Sequence, residues 1–496
     1  MFKKRRSTKQ PSPIKPNYDN YLIEKLKIDD LNCLPQDQET FRHLIRKAFE
    51  GSDDFREQYI RGEEKGGIFT YYIQGIADIE KLEEALLLKE DCIAVEYQEK
   101  VFMNLKRSDY YKPEDWKQCI QGCLEGHIII HLPFEGPLLV KYEKTEKRNL
   151  TEPTSQYQVY GPKIGFIEDM RTNISLVRKL IKDPRLKLNE FTVGSLSHTQ
   201  VGLMYLEEYV DPELLELVIK RMESLNMEQL TDGGELAKKI VDFPLSIFPQ
   251  VYETERPDYA TTALSQGKIV LIVDNSTFCI ILPVTLFNLI EISPDNYRMA
   301  LDNSFIRMLR IISILVATIL PGLYVALVGY HPELLPTTLA LSIADSRNNI
   351  PFPVYLEALM MVFALDVLVE ASLRLPSFVG QTIGIVGGLV IGQAAVEAGL
   401  VSNTMIIVSA STAITSFTLP TWHLISSWRI ARYLLIILSA LLGIFGLTIG
   451  VAYLTLHLCN LKSFGKPYLS PVSPFNPKEF LDVFYRLRNN RYSKQK

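Results

Sequence analysis

The apolar stretch Pro376–Leu400 restricts the fold of this chain more than any other part, because its glycines recur at every fourth position. Gly380, Gly384, Gly388 and Gly392 would form one ridge without side chains on a helix. In a water-exposed helix each glycine would cost about 1 kcal/mol relative to alanine. In a bilayer such a ridge lets another helix approach closely. We therefore predict a membrane helix that packs within its own subunit, that contacts a neighbouring subunit or the pore side, or that acts as a conformational hinge.

The composition divides the 496 residues into two parts. The chain has the composition of a soluble protein up to about Arg310, and long apolar runs then dominate as far as Asn460. The net charge of −4 gives no support for nucleic-acid binding. No apolar stretch follows the basic amino-terminal tail, so a secretory signal is not predicted and the first part is expected in the cytosol.

The expected fold class is α/β plus an α-helical membrane part. Two related cytosolic αβ subdomains precede a polytopic helical domain of four to five spans, one of which has a re-entrant hairpin as its alternative. The predicted boundaries are a basic disordered tail and helix at 1–50, the first subdomain at 51–150, the second at 151–297, the membrane domain at 298–460, and a basic, proline-rich cytosolic tail at 461–496.

A repeated pattern of two strands and a helix supports the paired subdomains. Alternating apolar residues and turn residues mark each strand. Each copy also ends in a predicted hairpin. The first copy comprises Phe55–Ile60, Gly67–Gln74, Ile79–Lys89, Gly126–Leu132 and Pro137–Lys141, and the second comprises Leu188–Val193, Gln200–Leu206, Glu213–Met222, Gly267–Val273 and Phe278–Leu282. Helices are also predicted over Asn20–Gly51, Pro113–Leu124 and Glu168–Asp183.

Enzyme signatures such as GxxxxGK[ST], HExxH and GxSxG do not occur in the sequence. His127 and His131 alternate along one predicted strand, but a metal site there would need further ligands. We therefore predict no enzymatic activity, no catalytic residue, no metal site and no cofactor.

The first predicted span is Ile311–Tyr330, which has about the 20 residues that a crossing requires. Arginines before it place that end in the cytosol. Pro321 and Gly322 in its middle predict a kink or a break. The second span is Val354–Val369, and the glycine ridge follows.

Two segments complete the predicted membrane domain. Ser402–Pro420 is apolar but rich in Ser and Thr, and it is either a full span or a re-entrant hairpin. Ile430–Leu458 is the last span, long enough to tilt. An even number of crossings returns the tail to the cytosol and favours four, although Arg429 and Arg432 would then lie outside, against the positive-inside rule.

Acidic residues near the predicted hydrocarbon are candidates for an ion path or gate. Carboxylates are costly in lipid and usually face a bundle interior or water. We select Glu357, Asp366, Glu370 and Glu397. The alternative is a structural ion pair, and it applies most to Glu370 and Arg374, which are spaced by four in the favourable order.

Several blocks resemble the A-subunit family of spore germinant receptors, the GerA family. They include LPTTLALSIADSRNNIPFPVYLEALMM, LRLPSFVGQTIGIVGGLVIGQAAVEAGLVS and HLCNLKSFGKPYLSP in the membrane half, and GPKIGFIEDMRTNISLVRKLIKDPRL in the soluble half. The resemblance extends roughly from Asp54 to Pro471.

The resemblance implies a multi-pass subunit in the inner membrane of a dormant spore. Its implied partners are a transporter-like B subunit that binds the nutrient, a lipoprotein C subunit, and further copies of itself in a ring that forms a ligand-gated cation channel. A paralogous branch of the family acts with the dipicolinic-acid release channel. Two alternatives to the channel stay open: a secondary transporter and a membrane scaffold.

Overall fold

The computed structural model describes residues 18–28, 30–61, 68–86, 109–132, 136–144, 153, 156, 161–292, 295, 297–373, 392–477 and 480. The described residues form two compact units. The first contains those up to 156 together with 162–237 and 253–281, and the second contains 161, 238–252 and those from 282 onward.

The first unit contains two five-stranded sheets with the same strand order. The strands of the first sheet are β1 (Phe55–Arg61), β2 (Ile68–Ile73), β3 (Tyr110–Tyr111), β4 (Ile128–Leu132) and β5 (Gly136–Val140); those of the second are β6 (Leu186–Val193), β7 (Thr199–Leu206), β8 (Tyr252–Thr254), β9 (Ile269–Val273) and β10 (Cys279–Leu282). The first sheet has the order β1-β2-β4-β5-β3 and the second has β6-β7-β9-β10-β8. The repetition predicted from sequence is therefore present in the topology.

Helices cover the sheets because the central strands are apolar on both faces. Ile129 faces a core that contains Phe41 and Trp116, whereas Ile128 and Ile130 face a second core. The helices of this part are α1 (Asp19–Leu26), α2 (Gln38–Ala48), α3 (Ile79–Leu86), α4 (Trp116–Leu124), α5 (Met170–Leu180), α6 (Pro212–Glu223), α7 (Gly233–Ile240) and α8 (Pro257–Ser265). The prediction of one helical stretch over Asn20–Gly51 was wrong, since α1 and α2 are separate helices.

The second unit is mainly helical. A shared core joins four of its helices through Val325, Ala358, Met405 and Ile436. Its helices are α9 (Leu286–Ile290), α10 (Ala300–Tyr330), α11 (Thr337–Arg347), α12 (Val354–Leu373), α13 (Asn403–Ser416), α14 (Trp422–Leu442) and α15 (Ile444–Asn460); a short ribbon pairs β11 (Lys462–Ser463) with β12 (Lys466–Pro467).

The last predicted span, Ile430–Leu458, was wrong as a single helix. The chain turns at Gly443, whose φ of 62° suits glycine. A side chain at Gly443 would lie 2.9 Å from Cβ of Tyr330, so the turn sits beside the carboxyl end of α10. The helices α14 and α15 therefore form a hairpin, and its open end lies towards the start of α10.

Helix α10 also differs from its prediction. It begins at Ala300 instead of Ile311, and it continues through Pro321 without a break. The early start is explained by ion pairs that neutralise its arginines. Arg310 donates to both carboxylate oxygens of Asp295 at 2.8 Å, and Arg307 lies 3.0 Å from Glu291.

Candidate functional site

Asp366 is the centre of a charged cluster inside the helical unit. Its carboxylate accepts hydrogen bonds from Nη2 of Arg432 at 2.9 and 2.8 Å and from the hydroxyl of Tyr433 at 2.7 Å. Nε of Arg429 lies 3.4 Å from the same carboxylate. The cluster joins α12 to α14, and Nη1 of Arg432 extends it to the hydroxyl of Ser416 on α13 at 3.5 Å.

The paired side chains of Arg432 and Asp366 are largely shielded from solvent. The Arg432 side chain is 5% exposed and that of Asp366 is 17% exposed. Burying two charges is costly unless they are paired and hydrogen-bonded. An open hollow of about 580 Å³, lined partly by Phe363 and Glu370, reaches the cluster. The site therefore holds a neutralised carboxylate beside an open hollow whose surface is mostly apolar.

Glu357 is the centre of a second buried hydrogen-bond cluster, in the first turn of α12. One carboxylate oxygen accepts the backbone N–H of Ser402 at 2.7 Å and its hydroxyl at 2.5 Å. The other accepts Nη1 of Arg347 at 2.5 Å. The hydroxyl of Tyr324 lies 3.1 Å from that of Ser402. Glu357 thus ties α10, α11 and the start of α13 together.

The remaining predicted acids are exposed, and their structural context differs. Glu370 lies at the rim of the hollow, near the end of α12. Glu397 is exposed and accepts a hydrogen bond from Gln393 at 3.0 Å. Arg374, the predicted partner of Glu370, lies outside the described residues. The structure therefore brings Asp366 and Glu370 together at one hollow and leaves Glu357 and Glu397 apart from it.

The glycine ridge is described only at its last member. Gly380, Gly384 and Gly388 lie outside the described residues. Gly392 is buried in a helical segment, residues 392–397, and a side chain there would lie 4.0 Å from Ile406. This contact is with α13 of the same chain.

Glycine-mediated packing is also present at helices outside the predicted glycine ridge. A Cβ at Gly322 would lie 3.1 Å from Oγ of Ser439, so this glycine lets α10 and α14 approach. Gly446 and Gly450 repeat the four-residue spacing on α15. A Cβ at Gly446 would lie 1.9 Å from the carbonyl oxygen of Leu438. Gly322, at the predicted kink or break, therefore serves the packing of α10 against α14.

From the sequence, Arg429 and Arg432 stand out only through their conflict with the positive-inside rule. Their position in an apolar run, with an acid in a preceding apolar run, is the signal that could have paired them with Asp366. Arg347 and Ser402 carry no comparable signal, because both lie in segments between the longer apolar runs.

Two helices in the described part of the chain are long and apolar enough to cross a membrane. They are α10 and α14, and α15 is a shorter apolar helix. Within the same described residues, no group of three His, Cys, Asp or Glu side chains is arranged to hold a metal ion. His131 is fully buried beside Phe41, and burial lowers its pKa to about 4.

Residues 43–496 match the family described as Bacillus/Clostridium GerA spore germination protein. Spore germination protein B1 of Bacillus subtilis is 36% identical over 454 residues, which cover 89% of this chain and 93% of that protein. Spore germination protein A1 of the same organism is 36% identical, with 85% and 88% covered. An uncharacterized membrane protein, YfkQ, is also 36% identical, with 84% and 82% covered.

A solved structure also resembles part of this chain. It is the crystal structure of the N-terminal domain of the A subunit of the Bacillus megaterium spore germinant receptor GerK3. The match has a TM-score of 0.38 and 21% identity, and it covers 51% of this chain and 96% of that one.

Proposed function

Since this chain belongs to the GerA family of spore germination proteins, we propose that it is a non-enzymatic A-type membrane subunit of a nutrient germinant receptor. The observation that carries the proposal is the match over residues 43–496. The expected partners are a transporter-like B subunit, a lipoprotein C subunit and further copies of this chain. The expected location is the spore inner membrane, with the amino-terminal part in the cytosol.

The helical hairpin changes the proposed membrane topology. Dividing Ile430–Leu458 into α14 and α15 adds one crossing to the predicted four or five. An even total, which returns the tail to the starting side, then requires Ser402–Pro420 to cross fully. The contact of Ser402 with Glu357 and that of Ser416 with Arg432 support this, because they place the two ends of α13 at different depths of the bundle.

We further propose that the subunit contributes to a ligand-gated cation channel and that the Asp366 cluster is its gate. In the structure the carboxylate is engaged by Arg432 and Tyr433. Opening would separate α12 from α14 and release the carboxylate into the hollow, where it could attract a cation. Binding of nutrient by a partner would bias this closed–open equilibrium. The other ridge glycines, Gly380, Gly384 and Gly388, would supply the contacts between copies.

Spores of the native host test the receptor role. Deleting the gene for this chain should abolish the response to one nutrient and preserve the response to nutrients that use other receptors. Loss of the response to every nutrient would instead favour the branch of the family that acts with the dipicolinic-acid release channel. The variant Gly388→Leu should reproduce the deletion if the ridge mediates assembly or opening.

Ion flux in liposomes tests the channel role. We expect nutrient-dependent cation flux when the B and C subunits are present, and little flux from this chain alone. Flux of a nutrient by this chain alone would indicate a transporter. Unaltered germination with Asp366→Asn and with Glu397→Gln would indicate a scaffold.

A further inference from the structure

A short apolar loop, defined here as Phe243, Pro244 and Leu245, protrudes from the second unit. Leu245 is 99% exposed and Phe243 is 44% exposed. Exposed apolar side chains that adjoin one another mark a contact surface more often than isolated ones do. The loop follows the last turn of α7, where Lys238 and Lys239 are both exposed.

The base of the loop is closed by its own hydrogen bonds. The backbone N–H of Phe243 donates to Oε1 of Gln250 at 2.9 Å, and Nε2 of Gln250 donates back to the carbonyl of Phe243 at 2.6 Å. Gln250 is in turn fixed, since its carbonyl accepts from Oγ of Ser463 at 2.7 Å. The loop is therefore presented in a defined conformation.

Contacts with α14 and α15 fix the position of the loop. The ring of Phe248 packs edge-on against Trp428 of α14, with centroids 5.1 Å apart. Oγ of Ser246 lies 3.1 Å from Nε2 of His457, near the end of α15. Ser427 of α14 donates to the carbonyl of Ile247. These contacts place the loop at the open end of the helical hairpin.

The surroundings of the loop have the character of a membrane boundary. On α15, Tyr453 and Leu456 are 59% and 63% exposed, so the exposed apolar surface of the hairpin extends towards the loop. Trp422, a residue type enriched at membrane boundaries, begins α14 and is 42% exposed. Lys462, just beyond α15, adds exposed positive charge to that of the α7 lysines. Apolar side chains flanked by lysines bind surfaces that contain anionic lipid.

We propose that the apolar loop inserts into the headgroup layer of the bilayer that holds the helices, with Lys238 and Lys239 against anionic headgroups. The inference rests on the proposed membrane location of the helical unit. The loop would then contact the membrane without spanning it. Lipid composition would thereby act on the segment between α7 and β8.

Fluorescence quenching in nanodiscs of phosphatidylcholine with varied phosphatidylglycerol tests the proposal. The full chain would carry a bimane label on Leu245→Cys, in a background where the native cysteines are replaced by serine. Lipids with a nitroxide near the headgroup should quench this label about threefold more than a label on Leu196→Cys, which is 74% exposed in the first unit. Equal quenching at the two positions would overturn the proposal.

Two further measurements distinguish a failure of the loop proposal from a failure of the proposed membrane location. A label on Ile449→Cys, 55% exposed in the middle of α15, should be quenched by lipids with the nitroxide deep in the acyl chain. Quenching at 449 without quenching at 245 rejects only the loop, whereas no quenching at either rejects the membrane location. Shielding of the 245 label from aqueous iodide without lipid quenching would assign the loop to a contact with protein, in this chain or in another copy of it, and overturn its lipid contact.

The role of Lys238 and Lys239 in binding anionic lipid is tested separately. Quenching at 245 should rise with the phosphatidylglycerol fraction, and the double variant Lys238→Gln, Lys239→Gln should lose that rise. A rise of the same size in the double variant would exclude these lysines as the anionic-lipid contact.

Discussion

Arg178 and Asp54 form a bidentate ion pair between the two sheets of the first unit. Nε and Nη2 of Arg178 lie 2.9 and 2.8 Å from the two carboxylate oxygens of Asp54, and both side chains are almost fully buried. Nη1 of Arg178 also donates to the carbonyl of Leu186 at 2.7 Å. The pair therefore connects helix α5 with the start of β1 and of β6, and it sets how the two αβ subdomains fit together.

Breaking this pair should destabilise the first unit strongly. We expect Asp54→Asn to lower the free energy of unfolding by about 3–5 kcal/mol, because it leaves the buried Arg178 without a counter-charge. Hydrogen exchange of β1 and β6 in the detergent-solubilised full chain measures this. The matched control is Arg171→Gln, an exposed arginine on the same helix. Equal protection in both variants would show that the pair does not couple the subdomains.

The Asp366 cluster should behave as a coupled pair with Arg432. Each single change, Asp366→Asn or Arg432→Gln, leaves the other charge partly buried and should lower the thermal stability of the solubilised protein. The double variant should recover part of the loss, which a double-mutant cycle measures as a coupling energy. The exposed Glu397→Gln is the stability control. If the two losses of thermal stability simply add in the double variant, the ion pair does not hold α12 against α14.

Gly450 on α15 should be intolerant of a large side chain. A Cβ there would lie 2.5 Å from Cδ2 of Leu435, so Gly450→Leu should separate α14 from α15. Ala452→Leu, at an exposed position of the same helix, should be tolerated. Cross-linking of cysteine pairs between the two helices measures their separation. Equal cross-linking in both variants would contradict the packing role.

His131 should make the first sheet sensitive to acid. Its pKa falls from about 6.5 unfolded to about 4 folded because burial disfavours the charged ring. The unfolded chain therefore binds the proton more tightly, so stability is complete above pH 6.5 and falls as the pH drops towards 4, by up to about 3 kcal/mol.

Hydrogen exchange of β4 in the full chain between pH 7 and pH 4, corrected for intrinsic exchange, measures this loss. His131→Leu should remove most of the pH dependence. Ile129→Val, a core change on the same strand, should lower stability by a similar amount at every pH. A pH dependence that survives in His131→Leu would assign the acid sensitivity to other groups.

Strands and helices of the first unit were well predicted where local pattern and turn residues agree. The predicted strand Phe55–Ile60 is β1 at Phe55–Arg61, and the predicted helix Glu213–Met222 is α6 at Pro212–Glu223, with Asp211 as its cap. The short strands β3 and β8 were missed, because two or three residues carry no periodic signal. The hairpin at Gly443 was missed because an apolar run looks the same whether it continues or reverses.

The sequence by itself determined the repeated αβ pattern, the apolar character of the carboxyl-terminal part and the family to which the chain belongs. These follow from residue type and spacing, which act locally along the chain. Only the tertiary structure decided that Asp366 meets Arg432 and that Glu357 meets Arg347 and Ser402. The partner of a buried charge is set by which opposite charge the packing of distant helices brings close to it. Residue spacing along the chain does not contain that information.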